Sequence, residues 1–345
     1  MRRRTVTMSG LWLAGTASAW ARKKPAADIA GPSYRLRADA QEAAQAIAQE
    51  HGLDADWVAA ALAEARYVGA VAQLMMPPTS PTAKNWAAYR ARFIERRRID
   101  AGRAWWDDNA DALAEAELRW GVPAQTVVGI VGVETFYGRM TGGFRVLDAL
   151  ATLSFDFPKG RSDRSAFFRS ELGHYVALAR REGWEPAAVK GSYAGAMGLP
   201  QFMPSSLRHY GVDMDGDGRV DLFASGADVA GSVANYLAEH GWRRGMPTHY
   251  AADAPAATVE RATLLVSDIV PSFSPQQMRE HGARLGDDAL AHEGSLALIE
   301  LLNGEAAPSY AAGTQNFYAI TRYNASSYYA MAVIELGQAV AAARG

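Results

Sequence analysis

The segment from Trp120 to Gly138, WGVPAQTVVGIVGVETFYG, constrains the fold more than any other. Pro123 suits the first turn of a helix and Gly138 suits its C-terminal stop. Val127, Ile130, Val131 and Val133 make that helix, over 123–137, apolar on most sides, so it should be largely buried. Glu134 is the only charged residue in the segment. It falls in the last turn, near the negative end of the helix dipole. Burial and that dipole both disfavour the charged form of a carboxyl. Two readings are open at this point. One is a buried, hydrogen-bonded structural carboxylate. The other is a general acid that keeps its proton near neutral pH.

The chain has 345 residues, enough for one large domain or two to three modest ones, and 49% of them are hydrophobic. A formal net charge of −2 gives no global field directed at nucleic acid or an acidic partner. There are no cysteines, which excludes disulfides, thiolate chemistry, thiolate metal sites and a lipid-modified cysteine anchor. Seven histidines are scattered and form no HExxH pair. The N-terminus, MRRRTVTMSGLWLAGTASAWARKK, joins a basic start to a short apolar stretch ending in Ala17, Ala19 and Ala21. That is the pattern of a secretory signal over 1–21, and Arg2, Arg3 and Arg4 leave the twin-arginine route open. A basic tail and an uncleaved tether are the competing readings. No later segment approaches ~20 uninterrupted apolar residues.

Residues 22–34 are rich in Pro and Ala and read as a linker. Helical spacing runs through 38–73, with Gly52 as a break, and returns over 86–120. Between them LMMPPTSPTAKN (74–85) is a Pro-punctuated loop. The run RARFIERRR (90–98) is either a solvated helix face or a contact for an anionic polymer. Further helices are expected at 163–183, after 191, and at 227–241. After Gly245 the texture changes, and TVERATLLV, LALIELLNG and SYAAGTQNFYAIT read as β-rich, with Asn303-Gly304 a strong turn signal. A final helix, SSYYAMAVIELGQAVAAAR, closes the chain.

Residues 213–221, DMDGDGRVD, place acidic residues at positions 1, 3, 5 and 9 with Gly at 6, the front half of a calcium loop. Asp213, Asp215 and Asp217 would supply hard oxygens, Gly218 the sharp turn, and Arg219 its backbone carbonyl. Position 12 is Ala224 where a bidentate Glu is usual, so Asp228 is the expected substitute. Modest affinity and a structural role follow from the missing Glu. A surface Asx-rich turn is the alternative.

With these segments in view the chain resembles the family 3 lytic transglycosylases, of the membrane-bound lytic murein transglycosylase B type. Three blocks carry the resemblance: VVGIVGVETFYGR (127–139), GSYAGAMGLPQFMPSSLRHYGVDMDGDGRVDLF (191–223) continued by AGSVANYLAEHGW (230–242), and NFYAITRYNASSYYAMAVIELGQAV (316–340). The resemblance implies a mainly α (α+β) fold, a lysozyme-like helical core with a helical flanking region and a small β-containing domain. The corresponding division is 1–21 signal peptide, 22–34 linker, 35–97 flanking region, 98–245 catalytic core with the calcium loop, 246–322 β-containing domain and 323–345 C-terminal helix.

The resemblance further implies Glu134 as the catalytic acid. It implies saccharide contacts at Tyr89, Ser192, Gln201, Phe202, Tyr236, Tyr323, Asn324 and Tyr329, and Arg164 as a partner for a peptide or lactyl carboxylate, with Arg161 a weaker match. Several of these, Phe202, Tyr323 and Tyr329 among them, have the alternative of filling the core. Where the family commonly has GYGQF, this chain has Gly198-Leu199-Pro200 before Gln201. Asp148 and Asp156 read as structural. The implied partner is the peptidoglycan glycan strand, acted on by a periplasmic monomer that is not a Cys-anchored lipoprotein. The reaction would be non-hydrolytic cleavage between N-acetylmuramic acid and N-acetylglucosamine, with no catalytic cofactor and a structural Ca²⁺. A hydrolytic muramidase and a non-catalytic calcium-dependent wall-binding protein are the alternatives.

Overall fold

The computed structural model describes residues 31–77 and 84–345. The signal expected over 1–21 lies outside the described residues, as do residues 22–30 of the expected linker and 78–83 of the Pro-punctuated loop. Helices α1 (Ala38–His51), α2 (Ala55–Ala63) and α3 (Gly69–Met75) come first. The Asp54 side chain caps α2 by accepting from the Trp57 amide at 2.8 Å. Next are α4 (Trp86–Arg90), α5 (Arg96–Asp108), α6 (Ala110–Trp120) and the apolar helix α7 (Ala124–Thr135). The middle of the chain holds β1 (Phe144–Arg145), α8 (Val146–Phe155), α9 (Ser165–Glu182), β2 (Lys190–Gly191), α10 (Pro204–Tyr210) and α11 (Gly226–Glu239). The last third holds β3 (His249–Asp253), α12 (Thr258–Leu265), α13 (Pro275–Glu280), β4 (Arg284–Leu285) and α14 (Asp287–Leu290). Strands β5 (Ala297–Asn303) and β6 (Ala306–Gly313) and helices α15 (Gln315–Thr321) and α16 (Ser327–Arg344) complete it. The expected mainly α class with small sheets is the class observed. Among the described residues no helix is long and apolar enough to cross a membrane.

The described chain divides into two compact units, 31–77 with 134–233 and 84–133 with 234–345. In the first unit every residue of α8 from Val146 to Ser154 is buried, so this helix is enclosed by its neighbours. Helix α9 packs on α8, α10 and α1, and α3 packs on α8. Polar groups on α8 fasten the segment between α2 and α3: Asp148 accepts from the Arg66 amide at 2.9 Å and Thr152 from the Val68 amide at 3.0 Å. Residues 31–34, expected as linker, are tied in as well. Gly31 donates to the Tyr67 carbonyl, Tyr34 donates to the Ala65 carbonyl, and Tyr34 is 2% exposed.

In the second unit α16 packs against α5, α4 and α15. Its contact with α7 is set by two glycines. A Cβ on Gly129 would stand 2.2 Å from the Val333 carbonyl oxygen, and one on Gly337 would stand 2.1 Å from that of Gln125. Each helix thus lends the other a side-chain-free surface at the crossing. The four-stranded antiparallel sheet has the order β4-β3-β6-β5. Asn303 pairs with Ala306 across the expected turn, with Gly304 at φ +68°. Leu264, Met278, Ala283, Leu296, Leu298 and Ala312 form a local core beneath the sheet. TVERATLLV, expected as β, is helix α12, and SYAAGTQNFYAIT is strand β6 only as far as Gly313 before α15 begins. In α12 the β-branched Val259 is 75% exposed, whereas Leu264 is fully buried against the sheet. One well-packed leucine outweighs the local strand propensity.

Candidate active site

Helix α7 carries Glu134 in its last turn. Val127, Ile130 and Val131 are fully buried as the pattern required, and so is Val128, but Val133 and Glu134 are half-buried. The helix ends at Thr135, three residues short of the expected glycine stop. Phe136, Tyr137 and Gly138 follow with φ of +53°, +55° and +84°. Two successive aromatic residues in the left-handed region cost roughly 1–2 kcal/mol each. The fully buried Thr135 organises this turn. Its hydroxyl donates to the Leu199 carbonyl at 2.8 Å and accepts from the Gly138 amide at 3.1 Å, and its carbonyl accepts from the Met140 amide at 2.9 Å.

The same unit holds Arg164, Ser192, Gln201 and Phe202. Ser192 is 8% exposed, and its Oγ accepts from the amides of Ala196 at 3.0 Å and Ala194 at 3.3 Å. Gln201 sits at φ +52°, and its amide nitrogen donates to the carbonyls of Gly198 at 2.9 Å and Thr141 at 3.1 Å. Its nitrogen is therefore committed to shaping the loop. The guanidinium of Arg164, just before α9, lies over Phe167 and Phe168 at 4.7 and 5.6 Å from the ring centres. Burial, and then the neighbouring Arg161, lower its pKa. Arg161 itself donates to the Met75 carbonyl.

The other unit holds Tyr89, Tyr236, Tyr323, Asn324 and Tyr329. Tyr89 lies in an aromatic cluster, with ring centres 6.2 Å from Trp86, 5.2 Å from Phe93 and 5.8 Å from Tyr328. Tyr236 donates its hydroxyl to the Arg322 carbonyl at 2.7 Å, stacks on His240 at 4.1 Å, and meets Tyr323 in a tilted pair at 4.5 Å. Asn324 is 6% exposed, and its buried Oδ1 has no hydrogen-bond partner among the described residues. Phe202 and Tyr329, expected as saccharide contacts, are each 2% exposed and belong to the interiors of their units. Such burial suits a backing role rather than a contact surface.

Asp148, Asp156 and Glu171 are all engaged within the first unit. Asp156 accepts from the Tyr34 hydroxyl at 2.6 Å and pairs with Arg37 at 2.7 Å. Asp148 pairs with Arg145 at 3.4 Å besides its bond to Arg66. Glu171, 3% exposed, accepts the Ser205 hydroxyl at 2.6 Å and the Ser205 amide at 2.9 Å. Burial raises the pKa of both Asp148 and Glu171.

In the acidic loop one carboxylate oxygen from each of Asp213, Asp215 and Asp217 lies within 4.8 Å of the others. Calcium–oxygen distances of about 2.3–2.6 Å allow oxygens spaced in this way to share one ion. Asp213 accepts from the Gly216 and Gly218 amides, and Asp217 from the Arg219 amide, which folds the loop around the cluster. Arg219 is exposed at the surface of the loop. Asp228, expected as the closing ligand, has a different place. It is 1% exposed, and its two oxygens accept the amides of Met214 at 2.8 Å and Asp221 at 2.7 Å. Each oxygen thus holds a loop amide, so Asp228 braces the loop from behind, and burial raises its pKa.

The profile of the Transglycosylase SLT domain family matches residues 36–338. The chain belongs to the SLT transglycosylases. It is similar to membrane-bound lytic murein transglycosylase B of Escherichia coli (strain K12), with 38% identity over 327 residues, 91% of this chain and 86% of that protein. The structure of the Escherichia coli lytic transglycosylase Slt35 in complex with calcium matches with a TM-score of 0.81 and 38% identity, covering 91% of this chain and 96% of that one. SltB3 from Pseudomonas aeruginosa, in complex with NAG-anhNAM-pentapeptide, matches with a TM-score of 0.73 and 28% identity, covering 89% and 79%. The lysozyme-like helical core expected from the sequence is the fold of these SLT transglycosylases. The matched span includes α7 with Glu134, the Ser192–Phe202 segment, the acidic loop and the Tyr323–Asn324 turn. Thr135 went unremarked in the sequence, because a small polar residue beside a carboxylate carries no pattern of its own.

Proposed function

We propose that this lytic transglycosylase of peptidoglycan cleaves the β-1,4 bond between N-acetylmuramic acid and N-acetylglucosamine without water, using Glu134 as acid and then as base. The observation that carries this reading is the place of Glu134, half-buried in the last turn of α7 and the one charged residue of that helix. Asp148, Asp156 and Glu171 of the same unit hold structural positions, engaged by Arg66, Arg145, Tyr34, Arg37 and Ser205. Most glycosidases need two carboxylates, and one suffices where the substrate assists. The Glu134 carboxyl protonates the glycosidic oxygen as the bond to C1 breaks. The substrate's acetamido group stabilises C1. The Glu134 carboxylate then takes the proton of the muramyl C6 hydroxyl, whose oxygen bonds to C1. The product is a 1,6-anhydromuramyl end, and the anhydro-sugar ligand in the SltB3 structure supports that outcome.

In this reading Ser192, Gln201, Tyr236, Tyr323 and Asn324 contact sugar, with the buried Asn324 Oδ1 offered to an acetamide N–H. Tyr89 adds an aromatic contact and Arg164 meets a carboxylate. Asp213, Asp215 and Asp217, with the Arg219 carbonyl, would hold a structural Ca²⁺ that neutralises their mutual repulsion, as the calcium complex of Slt35 suggests. The N-terminal signal pattern favours periplasmic action. Glu134→Gln tests the core of the reading. It keeps the shape and removes the proton, so lytic activity should fall by roughly 10²–10⁴-fold with the fold unchanged. Retention of a tenth of wild-type activity would contradict it.

A further inference from the structure

We infer that Thr135 is a positioning residue for Glu134, setting the direction of its carboxyl by tying the end of α7 to the turn at Gly198–Gln201. The inference rests on the reading of Glu134 as the acid. Glu134 is the residue before Thr135 in the last helical turn, so any unwinding there moves its carboxyl. Immediately beyond stand Phe136 and Tyr137 in left-handed conformation, at φ +53° and +55°. Aromatic residues leave that region readily, and they stay only where the surroundings over-determine it. The Thr135 hydroxyl contributes to that constraint, beside the bond from the Met140 amide to the Thr135 carbonyl. Thr135 Oγ1 donates to the Leu199 carbonyl at 2.8 Å and accepts from the Gly138 amide at 3.1 Å, closing the strained turn on itself and onto a second segment.

That second segment is firmly held. The Leu199 amide donates to the Leu222 carbonyl at 2.8 Å, and Gln201 donates to the Gly198 and Thr141 carbonyls. A Cβ on Gly198 would stand 2.5 Å from the Leu222 oxygen, so the turn rests directly on the chain leaving the acidic loop. Glu134 is thereby referenced through two hydrogen bonds to Leu222, the residue after Asp221. Misplacement of a catalytic group by about 1 Å can cost on the order of 10²-fold in rate. A threonine that served packing alone would leave the turnover of folded protein untouched when exchanged for an isostere.

Thr135→Val keeps the shape and deletes the hydroxyl, and Thr135→Ser keeps the hydroxyl and deletes the methyl. Both should be assayed on purified peptidoglycan glycan strands, per folded molecule by circular dichroism, beside Glu134→Gln. The expected result is a kcat about 10- to 100-fold lower for Thr135→Val with KM within about twofold of wild type, and recovery to within about threefold in Thr135→Ser. Should Thr135→Val not fold, Thr135→Ala carries the same expectation. Wild-type kcat in the valine or alanine variant, a rise in KM alone, or a serine variant no better than valine would each overturn the inference. Substantial activity in Glu134→Gln would instead remove the reading beneath it, and that outcome is distinguishable because it does not depend on Thr135.

Discussion

Gly129→Ala inverts the usual effect of a helical glycine-to-alanine change. In an ordinary helix interior this substitution stabilises by about 1 kcal/mol, because glycine loses more backbone freedom on folding. At Gly129 the new Cβ would lie 2.2 Å from the Val333 carbonyl oxygen and 3.1 Å from its carbon, well inside the 3.4 Å at which ordinary contact begins. Both obstacles are backbone of α16, so no side chain can swing away. The helices must part by about 1 Å, and a gap of that size forfeits a quarter to a half of each dispersion contact across it. Overpacking alone costs about 1–3 kcal/mol, and this site belongs at the upper end. The net change should be a loss of about 2–3 kcal/mol, read as a Tm lower by roughly 3–5 °C. Thermal unfolding followed by circular dichroism measures it. A Tm equal to or above that of the wild type would refute the helix contact.

Other outcomes follow from the acidic loop and the histidines. Millimolar calcium should raise the Tm of the wild type by mass action, and Asp213→Ala with Asp217→Ala should abolish the rise; equal melting in chelator and calcium would exclude the site. His174 has its pKa lowered to about 4, first by burial and then by His51, Arg208 and His209, with Glu50 opposing. Its neutral form is favoured in the folded state, so stability is full above the ordinary pKa of 6.5 and is lost as the pH falls from there towards 4. The ring is half-buried and screened, which limits the loss to about 1–2 kcal/mol. His174→Gln should flatten this acid limb in denaturant titrations, and an unchanged limb would rule His174 out as its source.

Much of this architecture was legible from residue patterns. Val127, Val128 and Val131 of α7 are buried as an apolar run demands, Gly52 stops α1, and Asn303-Gly304 turns β5 into β6. Helix α7 ends at Thr135 rather than running to Gly138, because a run of left-handed aromatics beside a buried hydroxyl has no local signature. In α12 Thr258 and Val259 face solvent, so propensity points to a strand that tertiary packing of Leu264 does not allow. Asp228, the expected closing ligand of the acidic loop, holds two loop amides with its two oxygens. Whether a carboxylate faces an ion or a set of amides depends on how the loop folds back, which spacing does not encode. Phe202 and Tyr329 show the same limit for aromatics, since a ring that backs a site and one that lines it are the same letter.

The central claim is that the glycosidic bond is broken by the substrate's own C6 hydroxyl under the control of Glu134. Mass spectrometry of the products released from purified peptidoglycan in ¹⁸O-labelled water tests it most directly. The account predicts muropeptides with 1,6-anhydromuramyl ends, lighter by one water than their reducing counterparts and free of label, and their absence with Glu134→Gln. Reducing ends carrying ¹⁸O would contradict it and identify a hydrolase.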